Sequence, residues 1–124
     1  MSSSIDHVLP ADRGSARSAI ATAIVRLHAE NYGRGPTRAR AHIHEDYVLV
    51  VLEDVLTTAE RTLVAAGHSA QVEAARDALN EILRPQFVEA VERVTGRRVR
   101  AFFCQTHFDP EAAVELFLLE PGIT

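Results

Sequence analysis

Arg38, Arg40, His42 and His44 alternate along one short stretch with Ala39, Ala41 and Ile43. On an extended backbone a period of two puts the four polar side chains on one face, as a cationic or pH-sensitive stripe. Arg98 and Arg100 repeat the spacing further along. Guanidinium groups bind carboxylate, phosphate or bicarbonate through paired N–H donors. If the two strands are neighbours, Arg38, Arg40, His42, Arg98 and Arg100 form a candidate anion-binding site. The competing reading is a solvated sheet edge whose charges oppose aggregation, the commoner use of such residues.

Other chemistries fit less well. His42 and His44 could give two ligands to a zinc-like ion, with His107 or a carboxylate as a third. The flanking Arg38 and Arg40 would repel a cation, and no Cys-x-x-Cys or His-Glu-x-x-His accompanies the pair, so no metal is expected. Gly33-Arg34-Gly35-Pro36 offers backbone amides near an arginine, but it follows a helix instead of leading into one, which makes it a helix stop and turn. Cys104 has His107 nearby and no evident group to orient that histidine, so strand packing is the expected role. Glu45-Asp46 and Glu53-Asp54 are adjacent in sequence, a spacing that sends side chains to opposite faces or into a turn instead of building an acid–base dyad. All 13 basic residues are arginine, which excludes a Schiff-base lysine. No catalytic residue is assigned and no cofactor is expected.

The elements that must position these residues follow from periodicity. Residues 1–11 are Ser-rich and aperiodic, a disordered leader; residues 12–124 form a single domain. Asp12 is a candidate N-cap for a helix with Ala16, Ile20, Ile24 and Leu27 on its apolar stripe, stopped at Gly33. Residues 37–44 and 47–52 read as a hairpin, although Glu45-Asp46 lacks the usual glycine. Thr57 and Glu60 have capping-box spacing and open a short helix that ends near Gly67. Ser69 is a candidate cap for a longer helix to Gly96 with Val72, Leu79, Leu83, Phe87, Val91 and Val94 inside, and Pro85 predicts a kink or break near residues 81–84. Strands follow at about 97–105 and 113–119, joined through Asp109-Pro110-Glu111.

The order α-ββ-αα-ββ predicts an α+β fold: a four-stranded antiparallel sheet with helices packed on one face. Val48, Val50 and Leu52 oppose Tyr47, Leu49 and Val51, and Val114, Leu116 and Leu118 oppose Phe117 and Leu119, so two strands are apolar on both faces. A chain of 124 residues has few elements left for the second face. A homodimer through or beside the sheet would cover it; the alternative is a long helix that breaks at Pro85 and wraps both faces.

Composition narrows the function. With 47% hydrophobic and 24% charged residues the chain is an ordinary globular domain. A net charge of -4 and no basic recognition helix disfavour a nucleic-acid partner or a DNA-binding regulator. The longest apolar run, Val48 to Leu52, is far short of the roughly 20 residues of a membrane span, so no direct membrane insertion is expected. A single cysteine and a start without basic and apolar signal regions imply a reducing, cytoplasmic setting.

Tyr32-Gly33-Arg34-Gly35-Pro36, Leu56-Thr57-x-x-Glu60, Gly67, Arg76, Thr95-Gly96-Arg97-x-Val99, and Asp109 followed by Val114-x-x-Phe117-x-Leu119 occur in an order and spacing that resembles the MpsC-like family. The resemblance spans about Ser15 to Leu119. It implies a small companion of membrane and cytoplasmic components in a sodium-translocating, membrane-potential-generating system, a context also linked to bicarbonate supply. Where the family often has a Ser-Asp pair near the third-strand end, this chain has Thr106-His107. The resemblance supplies no catalytic residues, so Arg34, Thr57, Glu60, Arg76 and Asp109 stand as motif positions. Arg76, placed off the Val72–Leu79–Leu83 stripe, is expected to meet Glu60, Asp109 or an external anion.

The expected role is a non-enzymatic cytoplasmic accessory or binding protein, peripheral to a membrane complex, with a protein partner or a small anion. The alternative is a small α+β enzyme or sensor acting on an anionic metabolite at the basic strand face.

Overall fold

Seven elements alternate as the periodicities require: α1 (Pro10–Tyr32), β1 (Arg38–Ile43), β2 (Tyr47–Glu53), α2 (Thr58–Ala65), α3 (Ser69–Thr95), β3 (Val99–Phe108) and β4 (Glu111–Leu119). The structure, a computed structural model, describes residues 10–121, with side chains from residue 14 onward. Residues 1–9 of the expected leader lie outside the described residues. The four strands form one antiparallel sheet in the order β1-β2-β4-β3. This is the α+β architecture the element order predicts.

One side of the sheet carries the core. Ala41 of β1, Val48, Val50 and Leu52 of β2, Phe102 of β3, and Ala113, Phe117 and Leu119 of β4 are buried against Ile20 and Ile24 of α1 and Val72, Leu83, Phe87 and Val91 of α3. The Phe102 ring bridges Phe87 on the helix layer and Phe117 on the next strand, with centroids 5.7 and 4.8 Å away. Side chains on the other side of β2 and β4 are absent from this cluster, because their parity points them away from both long helices.

The Gly33-to-Pro36 turn joins α1 to β1. Gly33 takes φ +85°, the left-handed stop that a side chain disfavours, and its amide bonds the Ala29 carbonyl at 3.1 Å. Gly35 has a different reason to lack a side chain: a Cβ there would sit 3.0 Å from both the carbonyl oxygen and a methyl of Val25. The chain leaves α1 in contact with the helix backbone, which fixes where β1 begins.

Several boundaries differ from the sequence expectation. α1 starts at Pro10, so Asp12 lies in its first turn and is not the N-cap; proline has no amide to lose at a helix start. His68, not Ser69, is the N-cap residue of α3, without a side-chain capping bond, and Ser69 is already helical. No break occurs at Pro85, since α3 is one helix from Ser69 to Thr95. Pro85 and Glu81 are both exposed, so the carbonyl that loses its partner faces water, while Leu83 and Phe87 hold the helix to the sheet. The alternative of a helix wrapping both faces is therefore overturned. β3 and β4 also run closer together than expected, joined by the two residues Asp109 and Pro110 across a cis peptide.

Candidate functional site

Strand order decides the fate of the basic stripe. β1 and β3 are opposite edges of the sheet, three strand spacings or about 14 Å apart. Arg38, Arg40 and His42 share the exposed face of one edge, and Arg98 and Arg100 stand at the start of the other. The condition for a joint anion site, neighbouring strands, is not met within one chain. Arg38 is also partly neutralised by Glu53 across the β1–β2 pair at 3.3 Å. His44 lies just past β1 and stacks on Tyr47, with ring centroids 4.5 Å apart. Among the described residues no group of three or more His, Cys, Asp or Glu side chains could hold a metal.

The motif positions act as internal fastenings. Arg34 donates from Nη1 to the carbonyls of Asp54 and Leu56, at 3.0 and 2.7 Å, and from Nη2 to the Asp54 carboxylate at 2.9 Å. Asp54 itself adopts φ +58°, an uncommon conformation for a non-glycine residue, which turns its carbonyl and carboxylate to the same arginine. Bonds from Arg34, Thr37 and Arg61 hold the Asp54 carboxyl far below the usual carboxylate range. Arg61 pairs with Asp54 and, at 3.0 Å, with Glu111, whose other bond caps the Leu56 amide at 2.9 Å. These contacts join the α1–β1 turn, the end of β2, α2 and the start of β4.

Thr57 and Glu60 form the expected capping box: the Glu60 amide donates to Thr57 Oγ1 at 3.1 Å and the Thr57 amide donates to Glu60 Oε1 at 2.9 Å. Glu60 then accepts two bonds from Arg76, Nε to Oε2 at 2.8 Å and Nη2 to Oε1 at 2.7 Å. Arg76 meets Glu60, not Asp109, which lies exposed in the β3–β4 turn. The expectation that Arg76 leaves the buried stripe is corrected: Val72, Arg76, Asn80, Leu83, Phe87 and Val91 are all buried at helical spacing, and Arg76 is 1% exposed. Its methylene stem and its ion pair let it take a core position.

A polar chain crosses the core from there. The Arg76 guanidinium lies over the Tyr32 ring, 4.1 Å from its centroid, and the Tyr32 hydroxyl donates to Asn80 Oδ1 at 2.7 Å. Burial pushes the Tyr32 hydroxyl up to about 12, so it stays a donor. Tyr32 stacks on His28, whose Nε2 is 2.9 Å from Glu115 Oε2. His28 and Glu115 are both buried, and among the described residues Glu115 Oε1 has no hydrogen-bond partner.

The sequence reading singled out neither His28 nor Glu115, although a signal existed. Ile20, Ile24 and His28 are four apart, and Glu115 has the parity of Ala113 and Phe117, so periodicity places both inside. Cys104 pairs with Glu115 across β3 and β4. Burial raises its thiol, with the Glu115 charge adding to the effect, which disfavours the nucleophilic thiolate.

The outer sheet face is different in kind. Its register rows run His42, Leu49, Leu116, Phe103 and Arg40, Val51, Val114, Gln105, with Tyr47, Leu118 and Ala101 beside them. An apolar band on the two central strands is thus bounded by Arg40 and His42 on one edge and Gln105 on the other. Phe103 is 56% and Val114 39% exposed. No helix of the described residues is long and apolar enough to cross a membrane.

Comparisons with curated proteins and with solved structures find no match to this chain. The model of one family, described as Na+-translocating membrane potential-generating system (MpsC), matches residues 12–121. That span contains every element from the first turn of α1 to the end of β4, and with it the Arg34, Thr57–Glu60 and Arg76 fastenings; the chain belongs to the MpsC family.

Proposed function

We propose that this chain is a non-enzymatic accessory protein of a Na+-translocating, membrane-potential-generating system, acting on the cytoplasmic side as a homodimer that binds a protein partner. The observation that carries this reading is the apolar band on the outer sheet face, centred on Leu49, Val51, Val114 and Leu116 and reaching the exposed ring of Phe103. A contiguous apolar surface rimmed by polar residues is characteristic of an interaction site.

A second copy is the occupant best suited to it. The band runs along the two central strands, so a two-fold axis parallel to the strands lays band on band. The same rotation sets the Arg40 edge over the opposite, β3, edge and not over its own copy, avoiding like-charge contact. An accessory role is favoured over catalysis because the arginines of the motif are engaged within the chain: Arg34 with Asp54, Arg76 with Glu60, and Arg97 with the carbonyls of Glu45 and Glu120.

The reading is tested by mixing the purified chain with membranes that contain the transport components and with membranes that lack them, then sedimenting both. Retention on the first and not the second supports it. Equal retention, or none on either, overturns it.

A further inference from the structure

We propose that the open edge of β1 and the flank of α1 form a docking cleft for an extended segment of another protein in which acidic and apolar residues alternate. The inference rests on the reading of the chain as a binding protein and names the chemistry of its partner. An open cleft of about 660 Å3 runs between the two elements, with Arg17, Ala21 and Val25 on the helix side and Ala39, Arg40 and His42 on the strand side. None of the described lining residues is acidic, although the chain as a whole carries a net charge of -4.

The backbone of β1 supplies the binding groups. The His44 amide donates to the Tyr47 carbonyl at 2.8 Å, so His44 and Tyr47 are a hydrogen-bonded pair. Antiparallel pairs alternate, which makes His42–Leu49 and Arg40–Val51 hydrogen-bonded as well and turns the N–H and C=O groups of Ala39, Ala41 and Ile43 toward the open edge. Among the described residues β1 is the end of the sheet, so these groups offer a ladder to one more strand.

Side-chain parity then fixes the partner's pattern. Residues of the added strand opposite Ala39 and Ala41 share their face and lie beneath Ala21 and Val25, a shelf of small apolar side chains. Residues opposite Arg40 and His42 share the outer face, where a carboxylate would sit at cross-strand distance from a guanidinium. Among the described residues no ion pair engages Arg40, in contrast to Arg38 with Glu53. A second copy of β1 fits poorly, because it would bring Arg38, Arg40 and His42 against themselves. The other edge is less suited to an acidic strand, since the groove beside β3 contains Asp77 and Glu81, its Arg84 is already paired with Glu81, and the strand has an irregularity between Val99 and Ala101.

The test uses the full chain and a fluorescein-labelled peptide of alternating Glu and Val, read by anisotropy at low and high salt. Saturable binding that weakens about tenfold in Arg40→Glu and with added salt, and that is lost when alternate peptide amides are N-methylated, is expected. Hydrogen exchange should show new protection at Ala39, Ala41 and Ile43. Arg40 is exposed, and a matched melting curve for the variant confirms that it folds. An alternating Lys and Val peptide that binds as well, indifference to Arg40→Glu or to N-methylation, or absence of binding overturns the cleft. Peptide binding with no retention on the transport membranes would overturn the accessory role alone; retention without peptide binding would overturn the cleft alone.

Discussion

Arg76 and Glu60 meet through two parallel bonds of 2.8 and 2.7 Å, and the same Glu60 carboxylate also closes the capping box at the start of α2. One acidic side chain therefore does two tasks on two helices. No residue of α2 is fully buried and Val64 packs against the core only half-buried, so this pair and the Arg61 contacts to Asp54 and Glu111 are its main polar attachments to the rest of the fold.

Removing the guanidinium should be costly because it strands a carboxylate that is only 17% exposed. Arg76→Ala is expected to lose roughly 3–5 kcal/mol in urea denaturation, with Arg76→Lys in between, since an ammonium keeps the charge but not the two-point geometry. A loss below about 1 kcal/mol would show that the pair is not a fastening.

The same pair predicts a pH dependence. Burial raises the Glu60 carboxyl, but the bonds from Arg76 and the Thr57 amide outweigh it and leave it below its ordinary 4.5. A lowered folded value means that the unfolded chain takes up the proton first as pH falls. The contribution is present above about pH 4.5 and is lost as pH drops through the lower folded value. Denaturation midpoints measured from neutral pH down to about pH 3 should fall more steeply for the wild type than for Glu60→Gln. Parallel curves would contradict this assignment.

How much of this was legible in the chain depends on what each residue answers to. The capping box, the Gly33 and Gly96 stops and the inward parity of Val48, Val50 and Leu52 are local properties, and all stand where spacing puts them. Pro85 shows the limit of a local rule, because a kink-prone residue is tolerated where its orphaned carbonyl faces water. Arg76 was misplaced for a related reason: hydrophobicity marks a core position only for side chains without a buried partner, and Glu60 is 16 residues away. The anion site depended wholly on strand order. A helix pair intervenes between the two hairpins, and nothing in the spacing of Arg40 and Arg98 shows that β4, not β3, lies beside β2.

His28 and Glu115 give a third prediction, one about coupling. Either side chain replaced alone by leucine leaves its partner buried without a counterpart, in a region where Glu115 Oε1 already lacks one. His28→Leu and Glu115→Leu should each destabilise by roughly 3–5 kcal/mol, and the double variant should be more stable than either single one, because apolar packing replaces a buried polar pair at little cost. Additive losses would mean that the two side chains do not act as a pair.

The dimer is tested at the outer sheet face. Phe103 is more than half exposed and lies in register with Leu116 and Leu49, so within one chain its ring has little to lose. Phe103→Arg should leave the helical and strand signals and the folding of the monomer intact while placing a cation on the β3 edge of the apolar band. In the strand-parallel dimer that edge lies under Arg40 and His42 of the second copy, and like-charge contact there would open the interface. Sedimentation equilibrium is expected to give twice 13.6 kDa for the wild type and 13.6 kDa for Phe103→Arg. An unaltered dimer in Phe103→Arg would move the interface off this face. A wild-type monomer at micromolar concentration would leave Leu49, Val51 and Leu116 to a different protein, and the homodimer part of the proposal would fall.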